Sequence, residues 1–304
     1  MRNGIVARFL RYTEERYSLR NFIPLSLIFA ITAGICVQKN IYGSIAGTSS
    51  IFLSFLALFL FLLRLRLFDE FKDFAHDMIH YPSRPVPRGL IALGELKAII
   101  VYILCAELLI AASRGAAAGM IFAVALAYSF LMFKEFFVKD WLRNHFTVYI
   151  VSHEILAFPL FFYIFSLNGV KLADIGQGYY WLLALFFGCQ IFLLEVARKT
   201  RAVELEVPSR DTYTAQYGIA GTAVLLICLS VSIEVLVLFM KQGYSGKAIF
   251  LDYISLAVLL ALFLRVAGFC RHPGRIDSKR ILDVSCLFVV TSDVTLIIQT
   301  LLKT

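Results

Sequence analysis

Long apolar runs, parted by short polar breaks, fill almost the whole chain. Runs long enough to cross about 30 Å of hydrocarbon as helix fall near 22–38, 48–68, 95–113, 115–133, 146–167, 178–195, 218–240, 248–267 and 281–301. A spanning strand would alternate polar and apolar positions and would need a closed barrel, so continuous apolarity predicts helices. Runs 95–113 and 115–133 are separated only by Ser113-Arg114-Gly115, which predicts a tight hairpin. The pattern predicts an all-α polytopic membrane protein. It forms a single domain over residues 1–304, with nine transmembrane helices bundled around a central cavity.

Composition agrees. Hydrophobic residues make up 60% of the 304 and charged residues 16%, where a soluble globule runs nearer one quarter charged. Mean hydropathy is +0.80. The net charge of +8 is unevenly placed. With the N-terminus inside, 23 of the 29 Lys and Arg fall on the inner side. The outer side keeps Lys39, Arg114, Lys171, Lys241, Lys247 and Lys303. By the positive-inside rule, the N-terminus and every long polar loop are expected to be cytoplasmic, in a bacterial inner membrane, with function at the cytoplasmic mouth. The positive charge follows these loops, and no nucleic-acid partner is expected. Residues 1–20 hold five Arg and two Glu without a signal-peptide pattern, and predict a basic interfacial segment lying at the membrane surface. None of the six cysteines pairs as CxxC, and they read as small buried hydrophobes.

Candidate chemistry starts at the first inner loop. Asp69, Asp73 and Asp77 are four residues apart. Four residues turn a helix by about 400°, so the three acids share one face. Carboxylates about 5–6 Å apart repel strongly beside a low-dielectric wall. A divalent cation relieves that repulsion and grips phosphate; the competing reading is a solvated helix end. Arg84 suits bidentate contact with phosphate, and Pro82, Pro85 and Pro87 stiffen the loop that carries it. His76 and His80 are spaced for a metal, but five histidines in all are too few for a di-iron centre. They suit supporting or proton-transfer roles. In the second long loop, Arg198, Lys199 and Arg201 follow Glu195. They either grip a diphosphate directly or only anchor the loop inside. Lys134 closes the fourth run, as a diphosphate partner or a snorkelling lysine. His153 lies in apolar sequence. Glu107, Glu234, Asp283 and Asp293 fall within apolar runs and need partners, because a charged acid near the bilayer centre costs about 2.5–3.5 kcal/mol.

The first loop resembles the leading signature of the UbiA superfamily of intramembrane prenyltransferases. That signature reads Asn-Asp-x-x-Asp-x-x-x-Asp, followed by Arg-Pro and a Gly. Here it reads Asp69-Glu70-x-x-Asp73-x-x-x-Asp77, then Arg84-Pro85-Val-Pro87-x-Gly89. Spacing is kept, with Asp69 in place of Asn and Glu70 in place of Asp. The second Asp-rich motif of the family is degenerate here, with only Glu195 near its first acid.

The resemblance implies Mg²⁺ held by Asp69, Asp73 and Asp77, with Glu195 completing the shell. It implies catalytic roles for Asp73, Asp77 and Lys134, and donor contacts from Tyr81, Arg84, Glu195, Arg198, Lys199 and Arg201. The reaction implied is transfer of an isoprenyl group from an isoprenyl diphosphate to a hydrophobic or aromatic acceptor among the membrane lipids. A terpene cyclase using the same ionisation, an ion-coupled transporter and a non-catalytic lipid-binding protein are the alternatives.

Overall fold

The computed structural model describes residues 4–206, 212–241 and 249–303. The first three residues of the N-terminal segment and residue 248 of the eighth run lie outside them. The described residues form α-helices and short 3₁₀ turns, with no strand. The helices are α1 (Ile5–Arg16), α2 (Leu19–Tyr42), α3 (Thr48–Lys72), α4 (Phe74–His80), α5 (Leu93–Ala112), α6 (Ala116–Phe133), α7 (Lys139–Asn144), α8 (Phe146–Glu154), α9 (Ala157–Leu167), α10 (Gly178–Arg198), α11 (Tyr213–Met240), α12 (Ile249–Arg271) and α13 (Arg275–Leu302).

Each apolar run lies in a helix, apart from two refinements. Among the described residues, eight spans are long and apolar enough to cross a membrane. The ninth expected span, α5, has 20 residues but carries Glu95, Lys97 and Glu107. The run 146–167 is divided, with α8 and α9 parted at Ile155 and Leu156. Pro159 has no N–H for the carbonyl four residues back, and its ring crowds that carbonyl. Large apolar side chains such as Tyr102, Leu109, Val124, Tyr253 and Leu264 are exposed on the helix faces. Apolar exposure on this scale fits lipid rather than water as the surrounding solvent.

The chain divides into two compact units, residues 1–37 with 45–172, and residues 38–44 with 173–304. In the first, α3 packs on α5 and α9, and α6 packs on α5 and α9. Arg64 of α3 and Glu107 of α5 are both fully buried. The Arg64 Nε donates to Glu107 Oε2 at 2.7 Å and its Nη1 donates to Ser129 of α6 at 2.9 Å. The guanidinium also lies 4.4 Å from the Phe61 ring centre, a cation–π contact. The sequence pattern assigns Arg64 to the inner basic set, whereas the structure makes it the partner that Glu107 needs. A lone ion in this position would be costly, and the pair with its added hydrogen bond is the arrangement that offsets desolvation.

In the second unit, α10 packs on α11 and α13, and α12 packs on α11 and α13. Its buried acids are also partnered. Gln190 donates to Asp293 at 3.0 Å and to Ser292 at 3.1 Å. Ser255 donates to Glu234 at 2.7 Å. Asp252 accepts from Gln299 at 2.6 Å and from Lys241. Asp283 is exposed on α13 instead. Within α11, Gly218 has φ 71° and ψ 175°, a region open essentially to glycine alone, and it breaks the helix near its start.

Candidate active site

The first acidic loop is supported from below by an apolar cluster. Tyr12 and Tyr17 pack there with Leu63, Leu67, Phe68, Val86, Ile91 and residues of α5. The N-terminal segment is therefore docked on the protein along one side, through Tyr12 and Thr13. It still turns Ile5, Val6 and Leu10 outward.

Helix α3 ends at Lys72, and Asp73 sits at a break with φ −97° and ψ 2°. The three aspartates are thus not on one continuous helix, as their spacing alone suggests. The hydrogen-bond ladder nevertheless carries across the break. The Asp73 N–H donates to the Asp69 carbonyl, the Asp77 N–H to the Asp73 carbonyl and the Tyr81 N–H to the Asp77 carbonyl, at 2.8, 2.8 and 2.9 Å.

The acids separate into two pairs. Glu70 and Asp77 are buried and committed to arginines. Glu70 Oε1 accepts from Arg16 Nε at 2.8 Å and from Arg66 Nη2 at 3.0 Å. Asp77 Oδ1 accepts from Arg84 Nη1, while its Oδ2 makes no hydrogen bond and lies 3.6 Å from Arg16 Nη2. Asp69 and Asp73 are half-buried. Asp69 accepts from Arg66 at 3.1 Å. Asp73 has no side-chain hydrogen bond or ion pair among the described residues. Burial, followed by the neighbouring Asp69, pushes the Asp73 carboxyl above the usual carboxylate range, and Lys72 only partly opposes this.

Arg84 stacks 3.6 Å from the centre of the Tyr81 ring. Its Nη1 is engaged by Asp77, and its other N–H groups make no protein bond among the described residues. The loop behind it closes as successive turns. Gly89 donates to the Val86 carbonyl at 3.0 Å and Leu90 to the Pro85 carbonyl at 2.9 Å. Gly89 has φ +78°, so the glycine of the Arg-Pro-x-Pro-x-Gly tail supplies a left-handed residue.

Two residues in this neighbourhood carried no strong signal in sequence. Lys72, between Phe71 and Asp73, donates to the Tyr149 hydroxyl at 3.3 Å and lies 3.7 Å from Glu135. Glu135 is buried, and it opens a run of three left-handed residues, Glu135, Phe136 and Phe137, at φ 46°, 52° and 61°. Lys134, just before it, is exposed and rests 5.3 Å from the Phe133 ring centre, away from that pair. The rings of His76 and His80 are 4.5 Å apart. His153 has Nδ1 2.7 Å from the Tyr149 carbonyl oxygen.

The second loop belongs to the other unit. Glu195 ends α10 with Arg198 and Lys199 folded back over its carboxylate, at 2.7 and 2.9 Å. Spacings of three and four residues bring all three onto one face. Glu195 is therefore held by protein cations. The Arg201 backbone N–H donates to Thr214 at 3.1 Å, and its side chain makes no ion pair among the described residues.

Among the described residues, no three His, Cys, Asp or Glu side chains are gathered closely enough to hold a metal by themselves. Mg²⁺ does not require such a cage, since it takes one or two carboxylates together with phosphate oxygens and water. Asp69 and Asp73 fit that role, because Asp73 makes no ion pair among the described residues and Asp69 beside it disfavours its charged form.

No family model and no curated protein sequence matches this chain. Solved structures do resemble it. One is the subject of work on digeranylgeranylglyceryl phosphate synthase in membranes, with a TM-score of 0.62 and 16% identity over 97% of this chain and 99% of that one. Another is the apo structure of a UbiA homolog from Aeropyrum pernix K1, with a TM-score of 0.67 and 12% identity over 91% of this chain and 98% of that one. The chain has the UbiA fold.

Proposed function

We propose that this protein is an intramembrane prenyltransferase that uses Mg²⁺ and an isoprenyl diphosphate. The observation that carries the reading is Asp73: a half-buried carboxylate with no ion pair among the described residues, beside Asp69, on a chain of UbiA fold. Mg²⁺, when bound, neutralises charge on the departing diphosphate. Asp69 and Asp73 would hold it, and the uncommitted N–H groups of Arg84 would meet phosphate oxygens. The allylic C–O bond of the donor breaks with its electron pair on the diphosphate. The allylic cation is captured by a nucleophilic carbon or oxygen of the acceptor, which then loses a proton. The apolar surroundings exclude the water that would otherwise capture the cation. The basic inner loops are assigned to the cytoplasmic side.

Incubating purified protein with Mg²⁺ and a panel of isoprenyl diphosphates tests this reading. Diphosphate release that needs Mg²⁺ and is lost in Asp69→Asn and Asp73→Asn is expected. Release that persists in both variants refutes the metal role. Release without any acceptor, yielding a cyclic hydrocarbon, identifies a cyclase instead.

A further inference from the structure

Helix α1 is tied to the first acidic loop and its continuation by ion pairs: Arg8 with Glu95, Glu15 with Arg88 at 2.6 Å, and Arg16 with Glu70 at 2.8 Å and with Asp77 at 3.6 Å. Arg16 reaches the acidic motif itself, and Tyr12 of the same helix also lies against Glu70. Arg16 is mostly buried, and it spans both of the shielded acids, with Nε on Glu70 and Nη2 3.6 Å from Asp77. Arg66 is shared, donating to Asp69 and to Glu70. A buried carboxylate that loses one partner draws harder on what remains. Without Arg16, Glu70 would claim Arg66 from Asp69 or turn toward the other acids. The Glu at position 70, one methylene longer than the Asp of the family pattern, suits a carboxylate that reaches sideways to α1 rather than outward to a cation.

We infer that Arg16 is a positioning residue for the cation site. With Arg84, it engages Glu70 and Asp77 and so presents Asp69 and Asp73 as the pair that meets the metal. This inference rests on the prenyltransferase reading, and on its cation site in particular.

Mn²⁺ serves as the probe, titrated into the detergent-purified full chain with inorganic diphosphate and followed by loss of the free-ion electron paramagnetic resonance signal. Arg16→Gln should weaken Mn²⁺ binding by roughly tenfold or more, the range found when a residue supporting a metal ligand is removed. Arg16→Lys keeps the charge but loses the fork, and should fall between. Arg88→Gln loosens α1 without touching any acid of the motif, and should stay within about twofold of wild type, below the effect of a lost supporting contact. Thermal melting and elution profile report whether each variant folds; if Arg16→Gln does not, Arg16→Lys decides, and an unchanged affinity in it overturns the inference. Unchanged binding in a folded Arg16→Gln also overturns it. So does tighter binding, which simple repulsion between Arg16 and the cation would produce. Equal weakening by Arg88→Gln transfers the effect to the docking of α1 as a whole and removes the specific role of Arg16. A wild type that binds no Mn²⁺ removes the cation site together with this inference, whereas a binding wild type with an unaffected Arg16→Gln removes the inference alone.

Discussion

Asp73 makes no ion pair among the described residues, and this places opposite demands on stability and activity. Its carboxyl is raised by burial and by Asp69, so its ionised form costs the folded chain free energy at neutral pH. Asp73→Asn should therefore raise the melting temperature of chelator-treated protein at neutral pH. A raised carboxyl is protonated below its folded pKa, so the gain should shrink as pH falls through that value. Melting curves across the acid range check both halves. The same substitution should lower diphosphate release about 100-fold, or ~2.7 kcal/mol of transition-state stabilisation. Spacing alone made the acids legible, because four-residue steps are a helix signature. The division among them was not legible. It depends on Arg16, 54 positions before Glu70, and no local pattern ties residues that far apart.

The helices followed from hydropathy, and their internal breaks followed from single residues. Pro159 divides the fifth apolar run, and Gly218 interrupts α11. The acid in α5 was visible as a residue in need of a partner. Its partner Arg64 was not, because an arginine near the end of an apolar run looks like an interfacial anchor. The pair joins α3 to α5 in a site sealed from solvent. Arg64→Leu should destabilise the protein by about 3–5 kcal/mol, because it strands Glu107. The double variant Arg64→Leu with Glu107→Leu should recover much of that loss. Thermal unfolding of both in the same detergent gives the comparison; a double variant no better than the single would mean that the ion pair itself holds the helices together.

An all-helical membrane fold survives sequence change because it depends on apolar length and helix order rather than on particular side chains. The chain accordingly aligns with solved UbiA-fold structures over nearly its full length at 12–16% identity. Its loop sequences differ from the signatures they resemble at residues 69 and 70 and around 195–201. Division into two compact units was not legible, since hydropathy marks spans without saying which of them pack together. Orientation, by contrast, has a sequence-based expectation that can be checked directly. Single cysteines in place of Ser83 and Ser113 should report opposite sides. A membrane-impermeant thiol reagent should label the Ser113 variant in intact cells and the Ser83 variant only in inverted vesicles. Labelling the other way round would reverse the topology.

Glu135, Phe136 and Phe137 hold three consecutive positive φ angles with no glycine among them. A side chain in that conformation costs roughly 1–2 kcal/mol. Phe137 is largely exposed, so its ring contributes little packing in return. Phe137→Gly should therefore toughen the protein by about 1 kcal/mol, even after the extra freedom glycine lends the unfolded chain. Here, removing a whole aromatic ring should leave the protein harder to melt.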